Sequence, residues 1–354
     1  MEQNNTTKIP DTDLFFDKLK EELKPTFKIA KRNLKKQVRP IYLEDIIGFG
    51  GFAVVAKGHT DLLLDGLKEE NHPCAVKIVY PGRIYGGDPD VNLSNRNRFI
   101  GEAFSARQVY INLKKLGNNL EKHLVRFYRY GEFDETYDEN NIRVGTWAIR
   151  TIAKMYKKRY ISWRYIVTEY IEGKELGQYK GKISIKDIVQ VGKIICQVLE
   201  ATHSLELIHR DIKPTNILIP NGKIEDLKLG DFGLSKRTDV SVPVYSSILG
   251  SVGFAAPEQI DPRLTYPVDN RADIYGLAAT LYFMITDHYP YNEKDAKLLM
   301  RKGKPIPRPK PLTDFVNQPE LNEILSKALS PNRSNRYKNI NEFKTDLDTI
   351  YNNL

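Results

Sequence analysis

Cysteine is scarce in this chain of 354 residues, which contains only Cys74 and Cys196. Both lie inside apolar segments, so we expect buried, reduced thiols and exclude the disulfide framework of a small secreted protein. Hydrophobic runs are short, and none reaches the roughly 18 residues that a transmembrane helix needs. The first residues also lack the basic-then-apolar order of a secretion signal. Together these absences predict a cytoplasmic protein with no membrane partner.

Negative charge is absent between residues 23 and 43, whereas the whole chain has 54 Lys and Arg, 45 Asp and Glu and a net charge of +9. Positive charge collects in this stretch and in two later ones. The basic residues of the three clusters are Lys24, Lys28, Lys31, Arg32, Lys35, Lys36 and Arg39; Lys154, Lys157, Lys158, Arg159 and Arg164; and Arg301, Lys302, Lys304, Arg308 and Lys310. A solvated, lysine-rich surface explains such clusters. Binding of nucleic acid or another polyanion is the alternative, because aromatic residues interleave the second cluster.

One run of the sequence carries most of the chemistry: His209-Arg210-Asp211-Ile212-Lys213-Pro214-Thr215-Asn216, followed further along by Asp231-Phe232-Gly233. In phosphoryl transfer a protein mainly positions groups and stabilises charge. Asp211 is a candidate base that orients an acceptor hydroxyl, and Lys213 is a cation for the moving phosphate. Asn216 and Asp231 offer the oxygen ligands that magnesium prefers.

These two motifs, in this order and at this spacing, resemble the catalytic loop and metal-binding motif of eukaryotic-type (Hanks-type) serine/threonine protein kinases. The resemblance implies an α+β, bilobal protein kinase fold, with a small β-rich N-lobe holding one main helix and a larger α-helical C-lobe. It covers about residues 40–350, with the N-lobe at about 40–170, the hinge at about 169–174 and the C-lobe at about 175–350. Residues 1–39 form a basic extension, for which we predict helices, the second from about Thr26 to Gln37. Two insertions, near 80–96 and 134–163, carry no readable motif.

The stretch 41–57 predicts a strand, a glycine-rich turn and a second strand. Glycine lets a backbone approach phosphate oxygens closely. The stretch resembles the nucleotide-covering loop of the kinase family, although Ala53 stands at the third glycine position. The resemblance implies nucleotide contacts from Ile47, Gly48, Gly50 and Val55.

A lysine stands inside the apolar strand pattern Cys74-Ala75-Val76-Lys77-Ile78-Val79, and a lysine buried in a strand needs a partner for its charge. The resemblance implies that Lys77 binds the α- and β-phosphates of ATP, that Glu102 pairs with it, and that Ala75 lines the nucleotide pocket. Glu102 shares helical spacing with Phe99 and Ala106, which lets it point inward. The alternative is that Glu102 is an ordinary surface glutamate.

The segment 165–173 resembles the strand and hinge that join the two lobes of a kinase. The resemblance places the gatekeeper of the adenine pocket at Thr168. The remaining nucleotide contacts that it implies are Glu169, Ile171, Glu175 and Leu218. The alternative for this segment is an ordinary core strand.

A hydroxyl-rich stretch lies between Asp231 and Glu258, and its end resembles the substrate-docking segment of the family. Lys213 together with Ser251 resembles the serine/threonine branch. Arg210 is then a cation with which a phosphate on this loop would pair, and the candidate hydroxyls are those of Ser241, Ser246 and Ser247. A flexible loop that is simply rich in serine is the alternative.

Three further positions match supports of the catalytic loop. An apolar stripe from Ile188 to Leu205 predicts a helix that leads into His209. The resemblance implies that Asp273 anchors the backbone of that loop and that Arg336 pairs with Glu258.

The resulting hypothesis is a serine/threonine protein kinase that uses ATP and Mg²⁺, phosphorylates protein substrates and autophosphorylates its activation loop. The alternatives are a pseudokinase scaffold, a small-molecule kinase of related fold, and a nucleic-acid-binding protein. A scaffold is disfavoured because every catalytic position is filled. Phe283 stands where kinases that prefer basic substrates often carry glutamate, and the positive surface favours acidic substrates instead.

Overall fold

The computed structural model describes residues 27–29, 41–49, 53–64, 67–79, 105–133, 136–137, 143–144, 163–231, 236–237, 252–261, 264, 267–291, 307 and 309–354. The chain divides into two units. The first comprises residues 1–97 and 127–170, and the second comprises residues 98–126 and 171–354. Across the described ranges, none of the helices combines the length and apolarity needed to cross a membrane.

The first unit is built on one antiparallel sheet. Five longer strands lie in the order β5-β8-β4-β3-β2. Their bounds are β2 (Ile41–Phe49), β3 (Ala53–Leu64), β4 (Leu67–Val79), β5 (Phe127–Phe133) and β8 (Trp163–Glu169). Successive side chains of a strand point to opposite faces, and in β4 this buries Cys74, Val76 and Ile78 on one face.

Three short strands continue this sheet beyond β2 in the order β1-β6-β7. They are β1 (Phe27–Ile29), β6 (Thr136–Tyr137) and β7 (Arg143–Val144). The prediction of a helix from about residue 26 to 37 is therefore wrong for residues 27–29. Their backbone instead pairs on both sides, with β2 and with β6, and such tertiary pairing overrides a weak local preference.

The short strands also show that the sheet curls. β5 is one edge of the sheet, while β6 lies beside the other edge. Phe133 ends β5 and Thr136 begins β6, so the chain length between them limits their Cα atoms to a separation of about 11 Å. The two ends of the sheet must therefore approach each other, as in a barrel.

The second unit is mainly helical. Its described helices are α1 (105–116), α2 (Ile185–His203), α3 (Pro257–Ile260), α4 (Arg271–Thr286), α5 (Pro319–Ala328) and α6 (Ile340–Asn353). α4 is buried along most of its length, so it forms the centre of the apolar core. α2 begins with a capping box, in which Ser184 Oγ accepts from the Asp187 N–H and Asp187 Oδ2 accepts from the Ser184 N–H.

Short strands and 3₁₀ turns lie between the helices of this unit. β9 (Gly173–Glu175), β11 (Ile217–Pro220) and β12 (Lys228–Leu229) form one small sheet, and β10 (Leu207–Ile208) pairs with β13 (Lys236–Arg237). The 3₁₀ turns are Leu120–His123, Leu176–Tyr179, Pro214–Asn216, Ile224–Asp226, Val252–Phe254, Leu312–Asp314 and Arg333–Asn335.

One sheet-rich unit and one helical unit confirm the α+β fold class. The grouping differs in one respect from the lobes implied by the resemblance, because residues 98–126 group with the second unit. The reason is packing: Val109 and Leu113 of α1 are fully buried in the apolar core of that unit.

Candidate active site

The loop after β10 is held in place by one buried carboxylate, that of Asp273 in α4. The backbone N–H groups of His209 and Arg210 donate to its Oδ2 and Oδ1 at 2.8 and 2.7 Å. His203 Nε2 lies 2.8 Å from Oδ2. Burial alone would raise the pKa of Asp273, but the hydrogen bond and charge of His203, the charge of His209 and the Arg210 N–H hold that pKa below its ordinary value. The predicted anchor is confirmed.

The anchored loop brings together two of the predicted catalytic side chains and one of the predicted metal ligands. Lys213 Nζ donates to Asp211 Oδ2 at 2.9 Å. Asn216 Nδ2 donates to the same oxygen at 3.1 Å and to the Asp211 carbonyl at 2.7 Å. Oδ2 thus accepts two hydrogen bonds, which fix the orientation of the carboxylate and leave Oδ1 to accept from another donor.

Backbone contacts also bring the two predicted metal ligands near each other. The Gly230 N–H donates to the Asn216 carbonyl at 2.8 Å, and Asp231 follows Gly230 directly. His209 Nε2 lies 3.1 Å from the Gly230 carbonyl and holds the same segment from the other side. Asp231 has a φ of +58°, a left-handed conformation that is uncommon outside glycine and clusters at functional sites.

The donor set fits magnesium. Both hydrogen-bonding contacts of the Asn216 amide nitrogen go to Asp211, so the amide oxygen is the atom left for a cation. Asp231 adds an exposed carboxylate one residue beyond the Gly230 contact. Mg²⁺ favours such oxygen ligands, one or two carboxylates at a time, together with phosphate oxygens.

Four of the predicted nucleotide contacts share one face of the sheet in the first unit. Val55 stands opposite Lys77, and Ala75 stands opposite Thr168. Ala75 and Lys77 are two residues apart on β4 and so point to the same side. All four are half-buried, whereas the other face of β4 is buried, so this face is the accessible one.

The glycine-rich region is described in part. Gly48 stands opposite Val55, in line with Lys77, and Ile47 precedes it with its side chain 48% exposed. Gly50 lies outside the described residues. Glu102 lies outside them too, so its pairing with Lys77 stays a prediction.

In the second unit, Leu218 of β11 stands opposite Glu175 of β9. Burial raises the pKa of Glu175, and the positive charge of Lys213 partly opposes that shift. The carboxyl of Glu175 therefore lies within electrostatic reach of the catalytic loop. Ile171 precedes β9 and is half-buried, and Glu169 ends β8 in the first unit.

A buried ion pair supports the segment that follows the hydroxyl-rich stretch. Arg336 donates from Nη1 and Nη2 to Glu258 Oε1 and Oε2 at 2.6 and 2.8 Å, and neither side chain is exposed. This two-point geometry fixes both groups and confirms the predicted pairing.

Comparison with known proteins agrees with this geometry. The family model for the protein kinase domain matches residues 139–345, which is more than half of the chain. The chain belongs to the protein kinase family. The match begins within the first unit and runs through α5 into α6.

Curated relatives of this kinase-family chain carry related names. It is 34% identical over 193 residues to a probable serine/threonine-protein kinase of Clostridium perfringens, which covers 52% of this chain and 27% of that protein. It is 31% identical over 190 residues to the serine/threonine-protein kinase Pkn1 of Myxococcus xanthus, with the same two shares. The match to PknB of Mycobacterium tuberculosis is 29% over 195 residues, 53% of this chain and 30% of that one. The matched stretch thus spans less than a third of each relative.

Arg210 differs from the other cations of this kinase-family loop. Its side chain is buried, and burial lowers the pKa of its guanidinium while the charge of Asp273 opposes that shift. Within the part of the chain that the structure describes, its Nε is buried without a hydrogen-bond partner. The loop hydroxyls predicted to receive a phosphate, including Ser241, Ser246 and Ser247, lie outside that part.

Two supporting residues were missed by the sequence analysis. His203 binds the anchor Asp273, and Gln259 links two segments: its Nε2 donates to the Arg210 carbonyl at 2.8 Å while its Oε1 accepts from the Ala256 N–H at 3.0 Å. The sequence contained a weak signal for both residues. His203 is a polar residue at the end of the apolar stripe of α2, and Gln259 directly follows the motif that ends in Glu258.

Proposed function

We propose that this member of the protein kinase family is an active serine/threonine protein kinase that transfers the γ-phosphate of Mg-ATP to hydroxyls of protein substrates. The observation that carries the proposal is the pair of hydrogen bonds that Lys213 and Asn216 donate to the Asp211 carboxylate. The loop that holds these residues is anchored by Asp273. The printed names of the relatives support the serine/threonine class.

The reaction assigns one role to each side chain of the loop. The acceptor hydroxyl donates a hydrogen bond to Asp211, which orients the oxygen for attack on the γ-phosphorus and receives the proton. The bond between the γ-phosphorus and the β–γ bridging oxygen breaks, and ADP leaves. Lys213 stabilises the charge on the moving phosphoryl group. Magnesium, held by Asn216 and Asp231, would supply positive charge to the phosphates of ATP.

The nucleotide occupies the accessible face of β3, β4 and β8 in this proposal. Val55, Ala75 and Thr168 are the apolar or small contacts to the adenine, and Lys77 binds the α- and β-phosphates. The partial exposure of these four side chains supports their assignment as nucleotide contacts.

We also propose activation by autophosphorylation, which the surroundings of Arg210 support. A buried guanidinium with an unsatisfied Nε gains more from a charge-assisted hydrogen bond than an exposed one does, because water competes less. A phosphate on the hydroxyl-rich stretch would provide that bond and link the stretch to the catalytic loop. Phosphosite mapping of active enzyme tests this step, and a fully active enzyme without loop phosphate contradicts it.

The experiment that tests the proposed function is transfer of label from γ-labelled ATP to a generic protein substrate. We expect Asp211→Asn, which keeps the shape of the side chain, to reduce the rate by about 10²–10⁴-fold. The matched control is Asp226→Asn, on an exposed 3₁₀ turn of the same unit. Thermal unfolding should show that both variants fold like the wild type.

The outcomes separate the competing functions. Label on serine or threonine that Asp211→Asn abolishes supports the kinase, whereas unchanged transfer in that variant contradicts the role of Asp211. A wild-type protein that is stabilised by ATP with magnesium but transfers no label to any protein contradicts the proposed activity and favours a scaffold.

A further inference from the structure

Three aromatic rings form a cluster that we call the aromatic platform: Phe254, which is buried, Phe283, which is half-buried, and Tyr289, which is exposed. The rings of Phe283 and Tyr289 stack with centroids 5.0 Å apart and an interplanar angle of 28°. Phe254 meets Tyr289 edge-on at 5.2 Å and Phe283 edge-on at 5.4 Å. Tyr289 is nevertheless 51% exposed, so the top of an ordered aromatic stack faces outward.

The backbone holds this exposed ring in place. A Cβ on Gly253 would lie only 2.3 Å from Cδ1 of Tyr289, so the ring rests where any side chain at 253 would stand. Tyr291, two residues on, donates from its hydroxyl to the Ala255 carbonyl at 2.7 Å. The platform is therefore preorganised, and a ligand that covers it pays little ordering entropy.

The platform is attached to the framework that carries Asp211. Gln259 joins the Arg210 carbonyl to the Ala256 N–H, two residues from Phe254. The carbonyls of Ile212 and Phe254 both approach Gly276 of α4, at 3.3 and 3.7 Å from the position of a Cβ there. A polypeptide whose hydroxyl reaches Asp211 thus has the platform within reach of a few residues, since an extended chain spans about 3.3 Å per residue.

The charge beside the platform disfavours a basic ligand. Lys180 Nζ lies 5.2 Å from the centroid of the Phe283 ring and also pairs with Asp287. This ammonium already occupies the position at which the aromatic face attracts a cation, so the ammonium or guanidinium of a basic ligand would compete with it. An uncharged, apolar or aromatic side chain gains the contact area without that cost.

We propose that the aromatic platform is a specificity site, which binds a large apolar or aromatic side chain of the protein substrate close to its acceptor serine or threonine and discriminates against lysine and arginine there. The inference rests on the proposed kinase activity and names the substrate class of the same site. It replaces the expectation of acidic substrates, which rested on net charge alone, by a preference set by local contacts.

Serine peptides that scan Phe, Leu, Ala, Asp and Arg through the positions around the acceptor test this proposal. We expect one position at which Phe or Leu raises kcat/KM by roughly tenfold over Ala and Arg lowers it. Tyr289→Ala should abolish this selectivity, and Tyr289→Phe should keep it because the ring remains. Gly253→Ala should also weaken the selectivity, since the new methyl displaces the ring without removing it. Tyr130→Ala, which removes a tyrosine of similar exposure (44%) from the other unit, is the matched control.

A binding measurement separates failure of this inference from failure of the kinase proposal. Fluorescence anisotropy measures the binding of a labelled peptide that has alanine at the acceptor position and Phe at the preferred position. If no transfer occurs and the preferred position is unknown, Phe is placed at each position in turn. Weaker binding to Tyr289→Ala than to wild type or Tyr289→Phe supports the platform even if no phosphate is transferred. Phosphate transfer with no apolar preference, or a preference that survives in Tyr289→Ala, overturns the inference and leaves the kinase proposal standing.

Discussion

Removing one partner of the buried Glu258–Arg336 pair should destabilise the second unit severely. Glu258→Gln keeps the size of the side chain but removes the negative charge that faces Nη1 and Nη2 of Arg336. The guanidinium would keep its hydrogen bonds to the carbonyls of Ser330, Arg271 and Pro331 and its position over the Tyr275 ring. It would nevertheless remain a buried cation without a carboxylate.

The expected cost is large compared with the stability of a domain. Breaking a fully buried pair by removing one charge costs about 3–5 kcal/mol, whereas a domain is stable by only about 5–15 kcal/mol. Carbonyl contacts to Arg336 offset part of that cost, so we expect about 3 kcal/mol. Replacing both residues, as in Glu258→Gln with Arg336→Met, should cost less than the sum of the single changes because no unpaired charge is left.

Urea unfolding of the whole chain, followed by circular dichroism, measures these values. If the two units unfold in separate transitions, the values are taken from the transition of the second unit. Each single variant should lower the free energy of unfolding, and the double-mutant cycle should give a coupling of at least about 1 kcal/mol. Arg333→Gln, which removes a partly exposed ion pair with Asp269, is the control and should cost under about 1 kcal/mol. Additivity within about 0.5 kcal/mol would refute the reasoning.

Three further perturbations test other parts of the structure. Asp273→Asn should lower stability at neutral pH. Because the folded pKa of Asp273 lies below its ordinary value, the wild-type advantage should persist above the ordinary aspartate pKa and disappear only as the pH falls through the folded pKa; an unchanged gap in strong acid contradicts this. Lys28→Pro, but not Lys28→Ala, should speed amide exchange in β2 by breaking β1 pairing, and equal exchange in both variants argues against that pairing. Gly192→Ala should cost about 1–3 kcal/mol despite its better helix propensity, because the Cβ would lie 2.9 Å from Leu281; a stabilised variant in thermal unfolding contradicts the close packing of α2 on α4.

The sequence by itself identified the catalytic loop because its chemistry is local. Asp211, Lys213 and Asn216 lie within six residues of each other, so a short turn is enough to bring them together, and the order of residue types specifies the reaction class. The apolar stripe of α2 was equally readable, since helical periodicity depends only on neighbours along the chain. The ligand pair Asn216 and Asp231 could be named as well, although their approach depends on the Gly230 contact.

Only the tertiary structure decided features whose partners are distant in sequence. The strand at residues 27–29 forms because β2 and β6 flank it, and no local pattern records that pairing. His203 acquires its role through its contact to Asp273, which α4 positions. Gln259, which α3 positions, acquires its role through its hydrogen bond to the Arg210 carbonyl. The aromatic platform joins residues from three segments, and its exposure reflects the fit of Tyr289 over Gly253. Local sequence specifies which groups are present, whereas long-range packing specifies which of them meet.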